Sequence, residues 1–130
     1  MSKIRVISAF LLALATAALA APTSAGADTI TFRVQSMAEQ RAQIVFYSQD
    51  RRVRWPANGR AYSLNDYDEH TYKLNCITNE KICYGAWTTS GQRVSWGTGQ
   101  GDHGNCARCC YTCRNSNTTQ LIVLRNSIRR

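Results

Sequence analysis

A cysteine-rich segment near the C-terminal end constrains this chain more than any other feature. Four of its six cysteines fall within residues 106–113, and the other two lie a short distance upstream. The six are Cys76, Cys83, Cys106, Cys109, Cys110 and Cys113. An even number of cysteines in a short exported chain is typical of a domain cross-linked by disulfides. The meaning of the segment therefore depends on where the chain is delivered.

The N-terminal segment has the three parts of a secretory signal peptide. Two basic residues precede an apolar run over residues 6–19, and A-x-A patterns then end at Ala20 and at Ala27. The apolar run is shorter than the roughly 20 residues that a membrane-spanning helix needs. We therefore predict a signal peptide over residues 1–27, with cleavage after Ala20 as the alternative. Residues 28–130 are then a single secreted β domain without a transmembrane span.

The secreted part is basic, with 14 basic and eight acidic residues, and 12 of the 14 are arginine. A moderate positive charge favours anionic partners such as nucleic acid, acidic glycans or a lipid surface, although exported domains without such partners also carry it. The alanine-rich leader is typical of a bacterial precursor, so we predict a secreted or periplasmic protein in an oxidising compartment. We expect a monomer.

Short segments of alternating apolar and polar residues recur along the secreted part. Residues 29–34 place Ile30, Phe32 and Val34 on one face, and residues 42–49 are rich in β-branched and aromatic residues. Further strands are predicted at 50–55, 61–64, 70–76, 81–87, 93–96 and 119–124. Because the turns between them are short, we predict an all-β fold, a small antiparallel β-sandwich (or barrel) of about seven or eight strands.

Three disulfides allow 15 pairings, and the sequence leaves two groups of them open. In one group, Cys76 bonds to Cys83 across a hairpin, and the four downstream cysteines pair among themselves. In the other group, Cys76 and Cys83 each bond to a cysteine of the segment. The second group stabilises more, because a closed loop of about 24 residues is worth over 3 kcal/mol and one of eight about 2.5 kcal/mol. Adjacent Cys109 and Cys110 point in different directions and should have different partners.

Metal binding and thiol–disulfide exchange are the alternatives for the cysteines. His103 lies three residues before Cys106, but structural zinc sites separate their C-x2-C units by a long spacer, and here the two units are fused. A redox C-x2-C unit needs a helix N-terminus, for which the pattern gives no sign. We therefore predict neither a metal site nor a cofactor.

Two histidines, His70 and His103, are the candidates for acid–base catalysis. A hydrolase acting on an anionic substrate would use such residues together with an arginine at the negative charge. The acidic residues 65–69 lack the glycine and the spacing of an EF-hand calcium loop. We predict no catalytic residue and keep two alternative functions, a small secreted hydrolase or a metal-binding cysteine cluster.

Aromatic residues at strand ends, close to arginines, are the candidates for ligand binding. Their faces stack on sugars or bases, and arginine adds recognition of negative charge. We expect Trp87, Trp96 and Tyr111 to share one pocket beside the cysteines. The full set of predicted ligand-binding residues is Trp55, Trp87, Trp96, Tyr111, Arg52 and Arg54. These residues predict non-catalytic binding of a glycan or an anionic polymer of the cell envelope.

Four segments carry a family resemblance. They are FYSQDR (46–51), KICYGAW (81–87), WGTG (96–99) and CARCCYTC (106–113). In these segments the chain resembles small cysteine-rich secreted bacterial proteins of uncharacterised function. The likeness extends over most of the secreted part, and the cysteine pattern is its most specific element. Because that family has no assigned activity, the resemblance transfers no functional residue.

Overall fold

The computed structural model of the chain describes residues 26–101 and 106–126. The predicted signal peptide lies outside these residues except for its last two, Gly26 and Ala27, and His103 also lies outside them. No helix among the described residues is long and apolar enough to cross a membrane.

Over the described residues the chain forms nine strands and no helix. The strands are β1 (Ala27–Ser36), β2 (Ala42–Ser48), β3 (Arg54–Trp55), β4 (Tyr62–Leu64), β5 (Glu69–Ile77), β6 (Lys81–Thr88), β7 (Ser95–Gly97), β8 (Cys110–Thr112) and β9 (Thr118–Leu124). A three-stranded sheet has the order β5-β1-β9, and a six-stranded sheet has the order β3-β2-β6-β7, with β4 also paired to β2 and β8 to β6. The prediction of an all-β, sandwich-like fold is confirmed, and the sheets do not close into a barrel.

One strand pair departs from the predicted antiparallel arrangement. Strands β1 and β9 run parallel, with Val34 beside Ile122 and Ser36 beside Leu124. The antiparallel prediction rested on short connections between consecutive strands. It does not apply to β1 and β9, because seven other strands separate them along the chain.

Two strands depart from the predictions by more than two residues at an end. The predicted strand over residues 50–55 is reduced to Arg54–Trp55. The Ser48 hydroxyl accepts hydrogen bonds from the backbone N–H groups of Asp50 at 3.2 Å and Arg51 at 3.0 Å, which turns the chain out of the sheet. Strand β8 was not predicted. It lies inside the cysteine-rich segment, where the crowding of cysteines conceals any alternation of apolar and polar residues.

The core lies between the two sheets. Alternation along β1 turns Ile30, Phe32 and Val34 inward, and β2 contributes Ile44 and Phe46; all five are fully buried. The rings of Phe32 and Phe46 meet across the interface with centroids 4.5 Å apart. Burial of each such side chain contributes about 1.5–3 kcal/mol, so this interface is the main apolar contribution to stability.

All six cysteines form disulfides, and the pairing belongs to the second predicted group. The pairs are Cys76–Cys113, Cys83–Cys110 and Cys106–Cys109. The first lies in the core and links β5 of the three-stranded sheet to the residue that follows β8. The second joins β6 to β8. The prediction that Cys109 and Cys110 have different partners is confirmed.

Candidate anion-binding site

The six-stranded sheet has two faces, and the register of its strands assigns the predicted ligand-binding residues to them. The inner face carries Phe46, Ile82 and Ala86, which belong to the core. The outer face carries the alternate residues of the same strands, including Tyr47 and Trp87. In an antiparallel pair, residues directly opposite each other point to the same side of the sheet, so each candidate can be placed from its partner.

Three of the aromatic candidates lie on the inner face. Trp96 is opposite Ala86, Tyr111 opposite Ile82, and Trp55 opposite Phe46. All three are partly buried and pack against the core. The Tyr111 ring meets Phe32 edge-on at 5.4 Å, and the Trp96 indole donates a 2.7 Å hydrogen bond to the carbonyl of Arg125.

Trp87 lies on the outer face, opposite Ser95. It is therefore on the other side of the sheet from Trp96 and Tyr111, and the predicted single pocket of these three residues is not formed. Successive side chains along a strand point to opposite faces of the sheet. Because Ser95 is opposite Trp87 and shares its face, the next residue along β7, Trp96, points to the other face.

The two arginine candidates do come together. Arg52 and Arg54 line one open depression of about 510 Å³ at the end of β2. Its lining residues are Ser48, Gln49, Asp50, Arg51, Arg52, Arg54, Gln100 and Gly101. We call this the arginine depression. It combines three guanidinium groups with one carboxylate, so its walls carry an excess of positive charge.

The connection between β2 and β3 is anchored by a buried carboxylate. The side chain of Glu80, in the turn between β5 and β6, is only 2% exposed. Arg51 donates to both of its oxygens, from Nη2 to Oε1 at 2.8 Å and from Nε to Oε2, and the Ser48 hydroxyl donates to Oε2 at 2.8 Å. Burial is the largest single influence on the pKa of Glu80 and raises it. The hydrogen bonds from Arg51, Ser48 and the Ile77 N–H together outweigh burial and hold that pKa below its usual value.

Two further contacts fix this connection from its other side. The Asp50 carboxylate accepts a 2.7 Å hydrogen bond from the Lys81 N–H, and the Gln49 side chain donates to the carbonyl of Gly99 at 3.1 Å. Arg51 is neutralised by Glu80 and so contributes to the shape of the depression more than to its charge. The remaining positive charge comes from Arg52 and Arg54, neither of which forms an ion pair with a described residue.

Arg54 is held in place with most of its hydrogen-bonding capacity unused. Its guanidinium lies over the ring of Tyr47, 5.5 Å from the centroid, and its Nη2 donates a 2.8 Å hydrogen bond to the carbonyl of Arg60. Its Nε is buried and has no hydrogen-bond partner among the described residues. A guanidinium has five N–H donors, so the group retains donors that an anion could use. Arg52 beside it is exposed.

A second depression lies at Trp87. It encloses about 610 Å³ and is lined by Trp87, Thr88, Thr89, Ser90, Gly91, Arg93, Val94 and Ser95. Trp87 is half-buried and Arg93 is exposed. The Thr88 hydroxyl donates to the carbonyl of Gln92 at 2.9 Å and accepts from the N–H of Val94 at 3.0 Å, which fixes the turn that forms the rim. We call this the tryptophan depression.

The chain that follows β7 lies over the outer face between these two depressions. A Cβ atom added at Gly85 would lie 2.9 Å from the carbonyl oxygen of Thr98, so only glycine allows this close approach. Gly97 has a φ of 82°, and a Cβ there would collide with the carbonyl oxygen of Tyr84. The Thr98 N–H donates to that same oxygen at 2.8 Å. Both glycines are therefore required by the path of this connection.

The candidates for other chemistry lie elsewhere. His70, on β5 of the three-stranded sheet, has its Nε2 atom 2.7 Å from Asp66 Oδ1. Hydrogen bonding to His70 is the main reason that the pKa of Asp66 is lowered. Among residues 26–101 and 106–126, no three His, Cys, Asp or Glu side chains are grouped so that they could hold a metal ion. The cysteines are all in disulfides and supply no thiolate ligand.

Three residues that line or support the two depressions, Tyr47, Arg93 and Glu80, were not predicted from the sequence. Tyr47 carries a detectable signal, because it alternates with buried Phe46 and Ser48 along β2 and so must face outward. Arg93 lies in a turn whose path the sequence does not determine. The role of Glu80 has no local signal, since its partners Ser48 and Arg51 are about 30 residues away.

The described arrangement offers recognition of negative charge by fixed guanidinium groups, together with one tryptophan available for stacking. Comparisons with protein-family models, with curated proteins and with solved structures find no match for this chain. Its function therefore has to follow from the chemistry of these sites.

Proposed function

We propose that this chain is an exported, disulfide-stabilised binding domain of the cell envelope that holds an anionic ligand in the arginine depression and catalyses no reaction. The observation that carries this proposal is Arg54. Its guanidinium is fixed over Tyr47, makes one hydrogen bond to a described residue, and lies next to the exposed Arg52, which forms no ion pair with any described residue.

Arginine in this setting suits the recognition of an anion. Its planar fork forms paired hydrogen bonds to carboxylate, sulfate or phosphate oxygens, and these bonds are stronger than neutral ones. Because the bonds of Glu80 and Asp50 already order the connection that carries Arg52, little conformational entropy remains to be lost on binding.

The disulfides support delivery to an oxidising compartment. Three such bonds in one small domain are typical of secreted and periplasmic proteins and rare in the cytosol. This agrees with the leader sequence predicted over residues 1–27.

The alternative, a hydrolase acting on an anionic substrate, has less support. It would require a histidine close to an arginine that binds the substrate charge. His70 is bonded to Asp66 and belongs to the other sheet, no histidine is among the described residues that line the arginine depression, and His103 lies outside the described residues. Binding without catalysis is the function that this geometry supports best.

The proposal is tested with the double variant Arg52→Gln/Arg54→Gln and with dextran sulfate as the anionic probe, uncharged dextran serving as the control polymer. We expect the variant to bind dextran sulfate about 10- to 100-fold more weakly than the wild type, because hydrogen bonds to charged groups contribute about 1.5–3 kcal/mol. The wild type should not bind uncharged dextran.

A matched control removes the same charge elsewhere. Arg108 and Arg114 are exposed and do not line the arginine depression. The variant Arg108→Gln/Arg114→Gln should keep its affinity within about twofold at constant salt. Equal losses in both double variants would mean that the polymer responds to net charge alone, and the proposed site would be wrong.

A further inference from the structure

We infer that the ligand is a linear acidic polysaccharide that occupies two subsites on the outer face of the six-stranded sheet, with its charge in the arginine depression and one sugar stacked on Trp87. This inference rests on the proposed function and adds to it the class of ligand and a second point of contact.

The two depressions open on the same face. Arg54 is opposite Tyr47 and Trp87 is opposite Gln43, and both of these β2 residues are odd-numbered and point outward. Residues 43 and 47 are four positions apart along one strand, which corresponds to about 13 Å. A polymer of a few units can therefore contact both depressions, whereas a monosaccharide or a small anion is too short.

The tryptophan depression has the composition of a sugar subsite. Trp87 offers an aromatic face, the exposed Ser90 and Ser95 add hydroxyl groups, and Arg93 adds a positive charge at the rim. An indole face packs against the apolar C–H surface of a sugar ring, while hydroxyl and guanidinium groups can bond the oxygens at the ring edge.

The placement of the aromatic residues favours a polysaccharide over a single-stranded nucleic acid. Nucleic-acid platforms stack successive bases on several aromatic side chains in a row. Of the three tryptophans, all of which are described, Trp55 and Trp96 face the core and only Trp87 faces outward. The ring of Tyr47 is covered by Arg54. A single outward-facing tryptophan with Arg93 in the same depression, about 13 Å from the arginine depression, fits a polymer whose sugar rings carry acidic groups.

The test compares a galacturonate disaccharide with a galacturonate decamer, using isothermal titration calorimetry as the readout. Simultaneous occupation of both subsites should make the wild type bind the decamer at least tenfold more tightly than the disaccharide. Trp87→Ala should remove about tenfold of the decamer affinity and leave disaccharide affinity unchanged, because the short ligand uses the arginine depression alone.

Arg93→Gln provides a second variant that does not depend on the fold tolerating loss of the indole. It should likewise weaken binding of the decamer and leave binding of the disaccharide unchanged. Trp87→Tyr, which keeps an aromatic face, should retain most of the affinity and serves as the matched control.

The outcomes separate this inference from the proposed function. If Arg52→Gln/Arg54→Gln abolishes polyanion binding while Trp87→Ala and Arg93→Gln change nothing, the anion site stands and the two-subsite inference is overturned. If a ten-residue oligothymidylate competes as well as the decamer, and does so through Trp87, the ligand class is nucleic acid and the inference also fails. If the wild type binds neither the decamer nor dextran sulfate, both the proposed function and the two-subsite inference are overturned.

Discussion

The inner and outer faces of the six-stranded sheet are built from alternate residues of the same strands, yet they are covered by different means. The inner face is covered by the three-stranded sheet through aromatic packing, with Phe46 in contact with Phe32 and Tyr72. The outer face also has fully buried residues, Val45 and Cys83. There the chain that follows β7 lies over Gly85, the residue opposite Val45, and Cys83 is bonded to Cys110 of the neighbouring strand β8.

The way in which each face is covered determines whether it contributes to stability or remains available for binding a ligand. A face closed by a second sheet leaves no surface for a ligand, and the aromatic residues that turn toward it, Trp55, Trp96 and Tyr111, become part of the packing. A face crossed by the short segment of chain that follows β7 remains open at both ends. The two depressions lie at those ends, where Arg54 and Trp87 face outward.

The largest expected effect is on the inner face. Phe46→Ala should lower the free energy of unfolding by about 3–5 kcal/mol, because it leaves a cavity beneath three other rings. The outer-face counterpart, Val45→Ala, removes less buried surface and should cost about 2 kcal/mol. Urea denaturation of both variants measures the two losses in the free energy of unfolding. A larger loss for Val45→Ala would contradict the assignment of the main core to the inner face.

Two disulfides of the cysteine-rich segment should differ in how much they stabilise the fold, because they close loops of different length. Cys83 and Cys110 are 27 residues apart and Cys106 and Cys109 only three apart. On the chain-entropy relation, replacing the first pair by alanines should cost about 3.5 kcal/mol and replacing the second about 2 kcal/mol. Denaturation under non-reducing conditions measures both. Equal losses would show that the loop length does not set the stabilisation.

The carboxylate that anchors the arginine depression should make stability depend on pH. Because the pKa of Glu80 is lower in the folded chain than its usual value of 4.5, its contribution is fully present above about pH 4.5 and is lost as the pH falls through the folded-state pKa. Glu80→Gln should cost about 2 kcal/mol at pH 7, since Arg51 and Ser48 lose a charged acceptor.

The difference between the wild type and Glu80→Gln should shrink as the pH falls below 4.5, and denaturation at several pH values measures it. Other carboxylates with lowered pKa values, such as those of Asp28 and Glu69, are common to both proteins and cancel in this difference. A difference that stays constant down to pH 3 would contradict the ionised pair.

The smallest expected effect distinguishes two tryptophans on opposite faces. Trp96→Phe removes the hydrogen bond from the indole to Arg125 and should cost about 1 kcal/mol. Trp87→Phe removes no hydrogen bond that the structure shows and should change stability by less than about 0.5 kcal/mol. Thermal denaturation compares them. Equal destabilisation by both changes would contradict the placement of Trp87 on the open face.

Local patterns predicted eight of the nine strands of the described residues and missed β8. The alternation of Ile30, Phe32 and Val34 predicted an inward face, and all three are fully buried. Adjacent Cys109 and Cys110 were predicted to have different partners, as is observed, whereas loop length ranked the two groups of pairings and left the choice between them open. Arg52 and Arg54 were recognised as neighbours because both lie in one basic segment of the chain.

The sequence by itself determined the all-β class and the burial of alternating apolar residues, since these follow from the period of a strand, and it left the disulfide pairing open between two groups. The tertiary structure alone decided the parallel pairing of β1 with β9, the face toward which each tryptophan points, and the partnership of Glu80 with Arg51. These features depend on the register between strands and on contacts between distant residues. Composition and local spacing do not encode the register, and a shift of β7 by one residue against β6 would bring Trp96 onto the same face as Trp87.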